Sequence, residues 1–280
     1  MFLDARIRLR PPAALAWALG TVLAVGLTLP AYLLVRPTRA RTWGLGEILG
    51  LTLFFVTAVP LLGAWLFHTH AGALPPLRVI AALGALQNAA FVAAAVYVVR
   101  VKYRLPLADL GLSVGRWLPR LRQGAAAAAL AVVGNSVGQN ATVYALALVM
   151  GQKAANDLVT REQVRTPIYQ MLPHLHQRLD LIALAVLVGI IVPVGEEVFF
   201  RGLTYGALRR LMNRHAAAVV SALFFAGAHL QPVELLPILI LGIVLAYTYE
   251  YTGSLIPGMI AHGINNLAAL VIFYQTQPPP

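Results

Sequence analysis

Glu196 and Glu197 stand side by side at the end of a stretch, Leu181 to Val194, that is otherwise apolar. Each charge at such depth costs about 2.5–3.5 kcal/mol on insertion scales, so two carboxylates kept there point to use. Arg201 follows Glu197 at a spacing of four, which on a helix puts acid and base on one face in the favoured order. Glu196 is turned about 100° away and has no partner on its own helix. It is the carboxylate free to work with groups from other helices.

Such groups occur downstream. His229 ends the run Phe225-Ala226-Gly227-Ala228-His229, and His262-Gly263-Ile264-Asn265-Asn266 lies inside another apolar run. On a helix His262 and Asn266 share a face. At a rise of about 1.5 Å per residue, Glu196 and His229 both fall about 20 Å from a hairpin turn near Asn213. The same rise sets His262 and Asn266 about 10–17 Å in from Leu255, measured from the same side. One carboxylate, two imidazoles and one amide then share a slab, and two chemistries suit them. In the first, carboxylate and imidazole deprotonate a water while the second imidazole and the amide hydrogen-bond the oxyanion. In the second, Glu196, His229 and His262 hold a zinc ion that lowers the pKa of a bound water. Either hydrolyses a peptide bond inside the membrane. There is no His-Glu-x-x-His helix, and no Gly-x-Ser-x-Gly elbow is read.

The elements that position these groups follow from composition. Hydrophobic residues make up 59% of 280 positions, charged residues 11%, and mean hydropathy is +0.76. A soluble domain is about a quarter charged, so this is an all-α polytopic membrane protein. Runs of span length fall at 13–35, 45–67, 79–99, 124–150, 181–200, 216–230, 234–250 and 255–274, which makes eight. The first follows Arg6, Arg8 and Arg10 as a signal peptide would, but its 23 residues read as a retained anchor. Pro30, Pro60 and Pro193 interrupt helical runs. The organisation expected is three N-terminal spans over 1–100, a basic amphipathic surface connector over 101–123, and a five-span core over 124–280. The segment 151–180 reads as the longest polar stretch, broken by Pro167 and Pro173.

With no cysteine, disulfides, thiolate ligands and a cysteine nucleophile are excluded. The net charge of +11 reads as loop charge facing anionic lipid, not as a nucleic-acid surface. Of 21 basic residues, 13 lie in one alternating set of connectors and 8 in the other. The positive-inside rule makes the first set cytoplasmic, namely 36–44, 100–123 and 201–215, and the site is expected to open toward that side. Asn135, Ser136, Gln139 and Asn140 form a stripe expected to point inward, as interhelical hydrogen bonds or as the lining of a wet cavity; Gln87 and Asn88 read alike. His174 and His176 fit a solvated loop, His68 and His70 sit in a loop without a role, and Phe199-Phe200 reads as lipid-facing or core packing.

Taken in order, Glu196-Glu197-x-x-x-Arg201, Phe225-x-x-x-His229 and His262-x-x-x-Asn266 resemble the CAAX prenyl protease and bacteriocin-processing (CPBP) family of intramembrane proteases, which includes Ras-converting-enzyme-like members. Asp109-Leu110-Gly111-Leu112, with Trp117, is similar to the stretch before that family's core. The resemblance implies that Glu196 and His229 activate water, that His262 and Asn266 form the oxyanion hole, and that Glu197 with Arg201 braces the site. Whether Asn265 or Asn266 faces the site stays open, with the four-residue spacing favouring Asn266. It implies an endopeptidase of a multi-pass plasma (inner) membrane protein, with no cofactor or, in the alternative, zinc. Its partners are then membrane lipid and a peptide or membrane-protein substrate, lipidated or not, and no nucleic acid. Other classes weighed are a non-catalytic binding or immunity protein and, with less in its favour because no inverted repeat is visible, a transporter.

Overall fold

The computed structural model describes residues 41–69, 77–113, 115–165 and 178–276. Among these there are eight helices and no strand. The chain divides into two compact units, Met1–Ala73 and Leu74–Pro280. The expected span at 13–35 lies outside the described residues, as do His70, His174 and His176.

The first unit contributes α1, Leu45–Thr69. The Glu47 carboxylate accepts the Gly44 N–H at 3.0 Å, closing the first turn as a capping glutamate does. His68 falls within this helix and not in a loop.

The second unit contributes the remaining seven helices: α2 (Leu77–Lys102), α3 (Trp117–Met150), α4 (Gln152–Arg165), α5 (Arg178–Leu211), α6 (Arg214–Ala228), α7 (Leu235–Thr252) and α8 (Leu255–Thr276). Four of them, α2, α5, α7 and α8, are long and apolar enough to cross a membrane, as is α1. The 15-residue α6 is shorter. Several boundaries differ from expectation. The fourth span starts at Trp117, so the last seven residues of the expected surface connector are helix. Its first residues belong to α2, and a single 3-10 turn, Leu107–Leu110, separates the two. The polar segment after α3 holds α4, because Gln152 to Arg165 contains no proline or glycine to break it. The fifth span runs eleven residues past its expected end to Leu211 as one helix, so Arg201, Arg209 and Arg210 are helical.

Two features of α5 matter for the site. Through Leu187–Ile191 and again through Glu197–Tyr205 it takes the wider π register, a form that appears mostly at functional sites. Its Gly195 faces Asn88 of α2, and a Cβ there would collide with the Asn88 side-chain oxygen. A chain of rings then crosses from α2 to α6. Phe91 stacks on Phe199 at 4.7 Å, Phe199 meets Phe200 edge-on at 5.0 Å, and Phe200 meets Phe225 at 5.1 Å. Phe199 and Phe200 are buried, which decides for core packing over lipid contact.

The polar stripe of α3 splits. Asn135 turns toward the interior, whereas Ser136 and Asn140 are exposed and bond their own helix, at Val132 O (2.9 Å) and Ser136 O (2.8 Å). They are not interhelical contacts. Residues 135 and 136 are about 100° apart on a helix, so one stripe cannot serve both faces. Asn88 is buried and likewise bonds its own helix, at Gly84 O (2.9 Å).

Candidate active site

The turn between α5 and α6 is tight. Asn213 caps α6, its side-chain oxygen accepting the N–H groups of His215 and Ala216, both at 3.0 Å. The two helices therefore run antiparallel from a fixed origin, which brings Glu196 level with His229 at the far end of α6. Both line a cavity of about 200 Å³ together with His262 and Asn266 from α8. The depth argument from sequence thus brings together the four groups it named. The cavity is also lined by Asn135, Glu162, Gln231, Glu234 and Asn265, of which the sequence marks Asn135 as a cavity residue and Asn265 as the alternative to Asn266. The signal for Asn265 was its position beside Asn266; none marked Glu162 or Glu234, which come from the unexpected α4 and from the α6–α7 turn.

Below the cavity lies a fully buried ion pair. Arg201 Nη1 donates to Glu197 Oε1 at 2.8 Å, and both side chains are 0–1% exposed. Arg201 also donates to the Gly242 carbonyl of α7 at 3.3 Å and lies over the Phe225 ring at 4.3 Å. The spacing of four thus gives the expected contact, even though the stretch is π and not α.

Glu197 does more than pair with arginine. His262 Nδ1 donates to the same Oε1 at 3.2 Å, and His262 Nε2 lies 3.7 Å from Glu196 Oε2. The imidazole is suspended between the two glutamates. Glu196 Oε2 itself has no hydrogen-bond partner within the protein, as the sequence suggested.

His229 Nδ1 donates to the Phe225 carbonyl at 2.8 Å, since a carbonyl can only accept. A neutral ring so held presents Nε2 as a bare lone pair, the form a general base or a metal ligand needs. Phe225 touches His229, His262 and Arg201 through its ring, at 4.8, 5.7 and 4.3 Å. The motif spacing marked this residue but gave no hint that it would buttress three site groups. Asn266 Nδ2 donates to Val188 O at 3.0 Å, and the 96%-buried Asn265 leaves Oδ1 unpartnered. Among the described residues no three His, Asp or Glu side chains are grouped to hold a metal ion.

Comparison with known proteins agrees with this arrangement of motifs. The family described as type II CAAX prenyl endopeptidase Rce1-like matches residues 178–268. The UPF0177 protein YxdF of Lactococcus lactis subsp. lactis (strain IL1403) is 30% identical over 128 residues, 45% of this chain and 67% of that protein. The chain belongs to the Rce1-like family. No solved structure matches. The Rce1-like match runs from the start of α5 to two residues beyond Asn266, so it contains every candidate site residue. A CAAX-type endopeptidase family and five helices of spanning length agree on an integral membrane protein.

Two expectations need correction in this Rce1-like core. The cavity does not open toward Arg209, Arg210 and Arg214. It extends the other way, to Gln231 and Glu234 in the α6–α7 turn and to Glu162 of α4, whose carboxylate accepts Val233 N at 2.9 Å. Loop charge reports on insertion, whereas the direction of the cavity is set by where the helices part. Burial, with the neighbouring Glu162, pushes the Glu234 carboxyl above its ordinary range, and a hydrogen bond from Gln139 offsets part of the shift. The chain has no cysteine, so single cysteines can map this. Cysteines at 213 and 231 are expected to react with an impermeant maleimide from opposite faces of the membrane. Labelling of both from one face would overturn the crossing of α6.

The string Gly-x-Ser-x-Gly does in fact occur, at 111–115 and 134–138. Neither is a nucleophile elbow, which needs a strand-to-helix turn. Ser113 accepts from Arg120 Nη2 at 3.1 Å, and Ser136 sits mid-helix with its hydroxyl on Val132 O.

Proposed function

We propose that this chain is an intramembrane endopeptidase in which water, not a protein nucleophile, attacks the peptide bond. The observation that carries the reading is that Glu196, His229, His262 and Asn266 line one small cavity, with the His229 ring turned to present Nε2. A water held between Glu196 and His229 gives up a proton to this pair, and its oxygen adds to the scissile carbonyl carbon. His262 Nε2 is a donor for the oxyanion when the ring carries a proton on both nitrogens, and the Asn266 amide is the second donor. Collapse of the tetrahedral intermediate breaks the C–N bond, and the proton passes to the leaving amine. Glu197, paired with Arg201, fixes the His262 ring through Nδ1. The family's CAAX-type activity makes a prenylated C-terminal peptide the first substrate to try, in a multi-pass protein of the plasma (inner) membrane.

This scheme uses all four groups, whereas a zinc ion on Glu196, His229 and His262 would leave the neutral Asn266 amide without a strong role. The purified protein is expected to release the terminal tripeptide from a farnesylated CAAX peptide, to keep doing so after chelation, and to carry less than one zinc per chain. Zinc at one per chain, with activity lost to chelator and restored by zinc, would turn the three residues into ligands.

A further inference from the structure

Asn266 is held by a carbonyl that a proline has set free. In the π register of Leu187–Ile191 each N–H reaches five residues back, and the last such bond runs from Val192 N to Leu187 O. The next donor in that ladder is residue 193 and the next acceptor is Val188 O. Residue 193 is proline and has no N–H. Val188 O would be an orphan within the hydrocarbon, where unpaired backbone groups are heavily penalised. It takes its hydrogen instead from Asn266 Nδ2, at 3.0 Å and 78 residues away in the chain. The approach of α8 is close at just this point. A Cβ on Gly263 would collide with the Gly189 carbonyl oxygen, and one on Gly189 would lie 3.0 Å from the Leu267 side chain.

An amide nitrogen carries two hydrogens. With one committed to Val188 O, the amide plane is fixed and the second remains for the cavity that Asn266 lines. We propose that Pro193 is a positioning residue: by denying Val188 O its backbone donor, it locks the Asn266 amide in the orientation that the oxyanion needs. The catalytic half of this inference rests on the role proposed above for Asn266; the structural half does not. A helix with an ordinary residue at 193 would satisfy Val188 O internally and leave the amide free to rotate.

The test is a four-variant cycle of the full chain in detergent: Pro193 as it stands, Pro193→Ala, Asn266→Ala and the double variant. In the Pro193 protein, Asn266→Ala strands a buried carbonyl and is expected to lower the melting temperature by about 5 °C. In the Pro193→Ala background it is expected to cost almost nothing, because the new N–H takes over Val188 O. Asn266→Asp, which keeps the shape but has no N–H to give, should show the same dependence. Equal costs in both backgrounds would overturn the inference. On a cleaved peptide, Pro193→Ala is expected to lower kcat about tenfold at unchanged KM, and to add nothing once Asn266 is alanine. Coupling in stability with wild-type turnover for Asn266→Ala would leave the Val188 contact standing and remove the amide from the oxyanion hole.

Discussion

Glu196→Ala is expected to lower turnover by about 10²–10⁴-fold, the typical worth of a general base, in a protein that still folds. The folding half follows from the packing. Glu196 is only partly buried, its Oε2 accepts no hydrogen bond, and its nearest charged neighbour, His262 Nε2, is 3.7 Å off. Removing it relieves a carboxylate of burial and strands no donor. The catalytic half follows from its place beside His229 in the cavity; Glu162 and Glu234 line that cavity from α4 and the α6–α7 turn, and Glu197 is fully buried and committed to Arg201 and His262. The measurement is a comparison of membrane peptides from cells carrying the native chain or the variant, with melting curves of both purified proteins. An enzyme loses a defined set of fragments, and a non-catalytic binding or immunity protein keeps its effect. Unchanged fragments together with unchanged turnover of the farnesylated peptide would remove Glu196 from the mechanism.

Much of this site was legible because depth in a membrane is nearly a linear coordinate. Once spans are found, 1.5 Å per residue turns spacing into height, and Glu196, His229, His262 and Asn266 came out level. What could not be read this way is rotation and splay. The polar run 135–140 looked like a single stripe, but only one of its two faces turns inward. Loop charge predicts a cavity open toward the arginine-rich side, although its lining reaches Gln231 and Glu162. Register is similarly silent: a π stretch and an α stretch of the same residues have the same hydropathy, so the bond from Asn266 to Val188 O left no trace in the pattern. The helix at Gln152–Arg165 is not legible in the same way, because its polarity reads as loop among apolar spans. Its Glu162 then holds the α6–α7 turn from outside the apolar runs altogether.

Arg201→Ala is expected to be the most destabilising single change in the site, by about 3–5 kcal/mol, because it strands a fully buried carboxylate. Its guanidinium has three engagements at once: Glu197 at 2.8 Å, the Gly242 carbonyl at 3.3 Å and the Phe225 ring at 4.3 Å. Each belongs to a different helix, so the loss spreads over α5, α7 and α6 together. A lysine could reach one of these partners as a point charge but not all three, and Arg201→Lys should fall between. In a chain of this size the alanine variant should melt about 10 °C lower, with reduced folded yield in detergent. Replacing both partners with apolar residues of similar size, Glu197→Leu with Arg201→Met, separates bracing from chemistry. Burying neither charge removes most of the penalty, so stability should return toward that of the native chain. Activity should not return, because His262 Nδ1 has then lost the carboxylate that orients its ring. An Arg201→Ala protein that melts like the native chain and is nevertheless inactive would place the guanidinium in direct contact with the reaction instead.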